Sequence, residues 1–342
     1  MFKGLMQIMS EVLINEYRGE VLENVHRGSI CVVDDQGSVR YFFGNVESMT
    51  FYRSAVKPIQ AIPAFRRQVD IAFNLTPKES TLLVASHRGE SYHVEALQSL
   101  AEKIECTEHD LLCLPTYPLN LDSRKELIWK NQPERRIYHN CAGKHFGMMA
   151  LAKLLGVSKE NYWEKNHLVQ KEILQHLSIL SDYPMDKIES GVDGCGVPVY
   201  ALPLKQLAIS YVRMACPDLL DDIELQTAIR KICQLMNDNY PMVGGSKQIC
   251  STLLQDRNIV AKGGAKGVYC LGLKEERLGV SLKIEDGSEE SWPLIVAAIL
   301  EQINYKNSET IERMHQLATC SVYNDNHKIV GENKIAFHLN QI

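Results

Sequence analysis

Residues 258–262 (Asn-Ile-Val-Ala-Lys), 268–273 (Val-Tyr-Cys-Leu-Gly-Leu) and 278–284 (Leu-Gly-Val-Ser-Leu-Lys-Ile) are three short apolar runs separated by glycines and charges. Runs of this length, bounded by turn formers, read as successive strands of an antiparallel sheet. Asp286-Gly287 ends the last run. A helix is expected over 289–304, where Trp292, Leu294, Ile295, Ala298, Ile299 and Ile303 recur at helical spacing. Residues 29–43 supply a hairpin from the other end of the chain: Ser-Ile-Cys-Val-Val, Asp-Asp-Gln-Gly, then Ser-Val-Arg-Tyr-Phe-Phe. Gly37 meets the positive φ of such a turn. Two strands from the start and three from the end can share one antiparallel sheet. That makes the fold α+β rather than an alternating doubly wound one.

Between strand-rich ends at 11–45 and 256–342, the stretch 54–250 reads as helical. Helices are predicted at 54–67, 77–86, 91–104, 143–155, 166–178, 200–213 and 222–237. Residues 76–79 (Thr-Pro-Lys-Glu) form a capping box with proline at the first helical position. No repeat, low-complexity tract or Pro/Ser-rich linker divides the chain, so 1–342 reads as one domain.

The chain has 342 residues, 45% hydrophobic and 23% charged, enough for a substantial core. Its net charge is -5, its pI is about 6.1, and it has no Lys/Arg-rich run, so nucleic acid is not an expected partner. Lys3, Gln7 and Glu11 interrupt the apolar residues at the start before a signal-peptide core can form. No apolar run is long enough to span a membrane. Ten cysteines without paired spacing are expected to be mostly reduced core residues, in a cytoplasmic protein.

Residues 53–58 read Arg-Ser-Ala-Val-Lys-Pro. In a helix beginning at Ser54, the side chains of Ser54 and Lys57 lie one turn apart on one face. A serine nucleophile needs a base, and lysine serves once burial and nearby cations bring its pKa from roughly 10.4 towards 7–8. Taken alone, the pair fits an N-cap serine and a solvated lysine as well.

Two further stretches favour the chemical reading. Ser86-His87-Arg88-Gly89-Glu90 follows a helix in a glycine-containing turn, and Lys262-Gly263-Gly264 ends a strand. Small residues after a lysine on an edge strand admit a substrate close to the backbone. Strand–Lys–small–Gly is also the third element of penicillin-recognising sites. A helix C-terminal cap and a solvated strand end are the plainer readings.

Cys141 in His139-Asn-Cys-Ala-Gly-Lys-His145 and Cys195 in Gly191-Val-Asp-Gly-Cys-Gly-Val-Pro198 sit in glycine-rich turns, unlike the other cysteines. Thiolates favour metals such as zinc, which takes three or four protein ligands. Lys144, His145, His139 or Asp193 would have to complete the set. Two reduced cysteines in packed turns, or a regulatory disulfide, are the alternatives.

Taken together, these stretches resemble the class 3 L-asparaginases, the asparaginase II protein family. The matching residues are His26-Arg27-Gly28, Arg53 to Pro58, Ser86 to Glu90, Asn140 to His145, Asp193 to Pro198, Ala261 to Ala265 and Ile329 to Glu332. The resemblance runs in order along nearly the whole chain. It implies a fold similar to serine β-lactamases and serine-dependent glutaminases, hydrolysis of L-asparagine to L-aspartate and ammonia, and a homodimer. It further implies two Ser–Lys pairs, Ser54–Lys57 and Ser86–Lys262, as the catalytic centre. Zinc would be held by Cys141, Cys195 and Lys144, the lysine neutral when bound. Asp193 would lie beside the metal-bound water, and Arg53, His87 and Asn140 would line the same pocket.

Three departures stand out. Ala142 replaces the family's usual serine, Lys266 replaces an acid, and residues 243–251 keep the glycine turn but lack the family's Arg and Asp. In the expected mechanism Ser54 attacks the amide carbon and Lys57 takes its proton. Ser86 and Lys262 relay a proton to the leaving ammonia, while Arg53 or Arg88 meets the substrate carboxylate and zinc serves positioning. Competing readings are a serine glutaminase or other small-amide hydrolase, and a metal-binding homologue that has lost catalysis.

Overall fold

The computed structural model describes residues 10–342; the reading of residues 1–9 as no signal peptide lies outside them. Its first strands are β1 (Glu11–Arg18), β2 (Val21–Val33), β3 (Val39–Phe43) and β4 (Met49–Phe51). Then come β5 (Glu189–Val192), β6 (Pro198–Pro203), β7 (Ile259–Gly263), β8 (Val268–Leu273) and β9 (Leu278–Ile284). β10 (Ser321–Tyr323), β11 (Ile329–Ile335) and β12 (Asn340–Gln341) close the chain.

The three runs near the end form β7, β8 and β9, and the early hairpin forms β2 and β3. Gly37 has φ 73° in its turn and donates its N–H to the Asp34 carbonyl at 3.0 Å. These strands share one sheet of order β10-β11-β1-β2-β9-β8-β7, with β3 on β2 and β12 on β3, every pairing antiparallel. The expected sheet is thus present but larger. β1, β10 and β11 extend it beyond β2, and β12 caps β3. Strand β7, carrying Lys262, lies at the edge, as read.

The helix Leu204–Ala215 packs on this sheet at very short range. A Cβ on Gly272 would meet the Tyr211 carbonyl oxygen at 2.2 Å, and one on Gly279 the Ala208 oxygen at 2.1 Å. Only glycine lets helix and strand backbones touch there.

Several boundaries differ from expectation. The helix predicted at 54–67 is broken into a 3₁₀ turn, Arg53–Val56, and two short helices, Lys57–Gln60 and Ile62–Arg66. Pro58 and Pro63 lack the N–H that a continuous helix needs. The helix expected from 200 begins at Leu204, because Pro198–Pro203 is strand β6 of a second sheet, β4-β6-β5. Every residue of β6 is buried, so its apolar run carries no alternation that would distinguish it from a helix. The helix predicted at 77–86 spans Pro77–Leu82 and keeps its capping box. Ser86 emerges beyond it, donating its N–H to Val243 O at 2.8 Å.

Helices Ser91–Lys103, Ala142–Leu154, Leu168–Ser181 and Ile223–Asp238 form close to the expected bounds. Trp292–Gln302 starts three residues late, and Leu121–Trp129 and Ser308–Leu317 were not anticipated. All ten cysteines are free thiols, nine buried and Cys320 exposed. No helix among the described residues is long and apolar enough to cross a membrane.

Candidate active site

The chain enters the site through Arg53, whose φ of 50° is left-handed, a conformation that non-glycine residues adopt at a cost. The 3₁₀ turn that follows sets Ser54 and hands over to the Lys57–Gln60 helix. Lys57 is fully buried. Its Nζ donates to Ala85 O at 2.8 Å, Ser86 Oγ at 2.9 Å and Asn140 O at 3.2 Å. Burial lowers its pKa to about 8; the Cys141 thiolate opposes that shift, and Lys262 and Lys144 add to it. A neutral amine here has two N–H groups for the two carbonyls and a lone pair facing the Ser86 hydroxyl.

The contacts therefore differ from the expected pairing. Lys57 bonds Ser86, whereas Ser54 Oγ makes no hydrogen bond among the described residues. Lys262 is buried as well, and its Nζ donates to Gly263 O at 2.8 Å rather than to Ser86. Burial lowers its pKa too, opposed by Cys250, Cys141 and Glu289. Ser54, Ser86 and Lys262 nonetheless line one cavity of about 370 Å³, with Lys57 directly behind Ser86.

Gly264 brings the two sides of this cavity together. A Cβ there would lie 2.7 Å from the Tyr52 carbonyl oxygen, so only glycine lets the turn after β7 press against the residues before Ser54. Here the close approach is between two segments of the chain itself.

Of the expected substrate-binding residues, Asn140 lines the cavity. Arg53 turns away, its Nε donating to Asp193 Oδ1 at 2.8 Å. His87 is fully buried, its Nδ1 accepting the Gly89 N–H at 3.2 Å. Burial, with His93 and Lys57 nearby, drives its pKa far below the usual histidine value, so it is neutral. Arg88 does line the cavity. So do Glu289 and Trp292, which the sequence marks only as part of a helix. The one sequence signal was the polar N–H of a tryptophan on an otherwise apolar face.

The cysteine turns also converge. The ligand atoms of Cys141, Asp193 and Cys195 all lie within 4.8 Å of one another. Lys144 Nζ is 3.1 Å from Cys195 Sγ and 4.0 Å from Asp193 Oδ2. His145 is directed elsewhere, its Nδ1 2.6 Å from the Tyr162 hydroxyl, while His139 accepts the Cys141 N–H at 3.1 Å.

A hydrogen bond from Cys195, helped against burial by Lys57 and Lys144, brings Cys141 well below the ordinary thiol range. The same contact and burial push Cys195 up, so the two thiols shift in opposite directions. Burial lowers the pKa of Lys144, but the two sulfurs and Asp193 outweigh it and raise the value above the usual one. Two sulfurs and a carboxylate this close together fit the donor preferences of zinc, and the Lys144 amine lies beside two of them. Lys144 would lose its proton on joining such a set.

The family model described as L-asparaginase II matches residues 14–335. No curated protein sequence matches. Among solved structures, Mglu in its glutamate form shares a TM-score of 0.47 at 14% identity, over 81% of this chain and 61% of that one. The chain thus spans less than two thirds of Mglu. A β-lactamase from Mycobacterium bovis matches at 0.42 and 14% identity, over 80% and 94% of the two chains. A class C β-lactamase from Rhodobacter sphaeroides matches at 0.40 and 15%, over 85% and 93%. These likenesses are loose.

Proposed function

The chain belongs to the L-asparaginase II family of amidohydrolases, and on that premise we propose that it converts L-asparagine to L-aspartate and ammonia through a serine acyl-enzyme. The observation that carries this reading is the buried Lys57 amine, with a pKa near 8, hydrogen-bonded to one of two serines that share a cavity.

Ser54 Oγ attacks the amide carbon, and its proton passes to neutral Lys57. Lys57 then protonates Ser86, which gives its own proton to the leaving nitrogen. The C–N bond breaks, ammonia departs and the acyl group remains as an ester on Ser54. Water hydrolyses that ester with Lys57 again accepting a proton, which returns to Ser54. Lys262, buried beside the cavity, supplies positive potential to the developing oxyanion.

Zinc would be held by Cys141, Cys195, Asp193 and Lys144. The chemistry it would supply when bound is positional: the 139–145 and 193–196 turns would be tied together, steadying the Asn140 carbonyl against Lys57.

A second reading takes Ser86 as the nucleophile, favoured by its 2.9 Å bond to Lys57. Ammonia release from L-asparagine, L-glutamine and D-asparagine, measured side by side, tests the substrate. Mass spectrometry of a trapped acyl-enzyme identifies the serine. No ammonia from any of the three amides would overturn the proposal. A homodimer in the cytoplasm completes it, with light scattering as the test of its oligomeric state.

A further inference from the structure

The cavity that holds the two serines carries two opposite charges that do not meet. Arg88 is half-buried and has no carboxylate within ion-pair distance among the described residues; its side-chain bond is to Leu119 O at 3.4 Å. Glu289, solvent-exposed at the rim of the same cavity, likewise has no cationic partner in contact among the described residues. Its Oε1 accepts the Lys266 N–H at 3.2 Å, which fixes the carboxylate to the turn following Lys262. Burial lowers the pKa of Arg88 and Glu289 opposes that shift, so the two charges sense each other across the cavity without closing into a pair.

Trp292 adds a buried donor without a partner. Its indole N–H is buried with no acceptor, although its ring lines the cavity. A buried tryptophan N–H ordinarily finds a partner. A cation, an anion and an orphaned donor around one small cavity suit a ligand that itself carries both signs of charge. Guanidinium pairs with carboxylate in a forked geometry, and a carboxylate is the natural partner of an ammonium group.

We propose that Glu289 binds the α-ammonium group of the substrate while Arg88, aided by the Trp292 N–H, binds its α-carboxylate, so that the site selects zwitterionic amino-acid amides. This rests on the amide-hydrolase reading and assigns the groups that would recognise the amino-acid end of its substrate. It makes Glu289, in a segment outside the Ser–Lys motifs, a specificity-determining residue.

The test compares L-asparagine with succinamate, which keeps the carboxylate and the amide but lacks the amine. The wild-type enzyme is expected to prefer asparagine by about 10- to 100-fold in kcat/KM. Glu289→Gln should reduce that preference to about threefold or less, chiefly by raising KM for asparagine. Arg88→Gln should raise KM for both amides. An unchanged preference in Glu289→Gln, or unchanged KM values in Arg88→Gln, overturns the assignment.

A binding arm separates this from failure of the hydrolase reading. Calorimetry of L-aspartate and succinate against wild-type protein and Glu289→Gln needs no turnover. Tighter binding of aspartate by the wild type, lost in the variant, supports the clamp even if no amide is hydrolysed. Equal binding of the two acids by the wild type overturns it.

Discussion

Lys57 Nζ lies 2.9 Å from Ser86 Oγ, across 29 positions of sequence, while Ser54 stands only three residues from the same lysine. One buried amine is thus tied to one serine through space and to the other through a single turn of backbone. The remaining partners of Nζ, the carbonyls of Ala85 and Asn140, hold it in place against Ser86.

Removing the parts should give graded losses. Ser54→Ala and Lys57→Met are expected to lower kcat for asparagine by about 10⁴-fold. Ser86→Ala is expected to cost about 10²- to 10³-fold, the scale of a lost proton relay. Ammonia release under saturating substrate reads all three. A near-normal Ser54→Ala beside a dead Ser86→Ala would transfer the nucleophile's role to Ser86.

The pH dependence follows from Lys57. Below about 8 its ammonium form cannot accept a proton, so kcat/KM should rise about tenfold per pH unit and level off above about 8. The same lowered pKa affects stability. Between about 8 and 10.5 the unfolded chain binds a proton that the folded chain does not, so folding becomes more favourable as pH rises through that window. The penalty is fully present below 8, at about 3 kcal/mol, and absent above 10.5. Urea titrations of wild type and Lys57→Met at pH 7 and pH 10 should show their stability difference shifting in that direction.

Gly264→Ala tests the contact between the edge strand and the residues before Ser54. Its Cβ would sit 2.7 Å from the Tyr52 carbonyl, and backbone cannot yield as a flexible side chain can. A destabilisation of about 1–3 kcal/mol is expected. Turnover should fall about 10²-fold, because small misplacements of a nucleophile are costly. Chemical denaturation and steady-state kinetics measure the two effects.

For the metal, purified wild-type protein should contain about one zinc per chain by elemental analysis, and Cys141→Ser should contain far less. The variant should also melt at lower temperature, and added zinc should stabilise the wild type alone. Its loss of turnover should be smaller than that of Ser54→Ala, since the metal's proposed role is positional. Metal-free wild-type protein with full thermal stability would contradict the site.

Much of the fold was legible because its signals are local. Strands β7, β8 and β9, the Gly37 hairpin and the Thr76 capping box each depend on neighbours within a few residues. The outer strands were harder to see. β11 reads Ile-Val-Gly-Glu-Asn-Lys-Ile and buries none of its residues fully, so no strong apolar alternation marks it. β6 failed in the opposite way: buried throughout, it resembled the helix that follows it.

Within the site, the sequence by itself determined the chemistry available: two serines, two lysines, two cysteines in tight turns, and the family to which their order belongs. Only the tertiary structure decided their partners. Lys57 is held by residues 85, 86 and 140, which come from segments separated along the chain, and it bonds Ser86 rather than Ser54. Arg53 was drawn to Asp193, and Glu289 was brought to the cavity from the turn before a C-terminal helix. The physical reason is range. Residue type sets what a group can donate, accept or attack, whereas burial and packing between distant segments set which groups it meets and at what pKa.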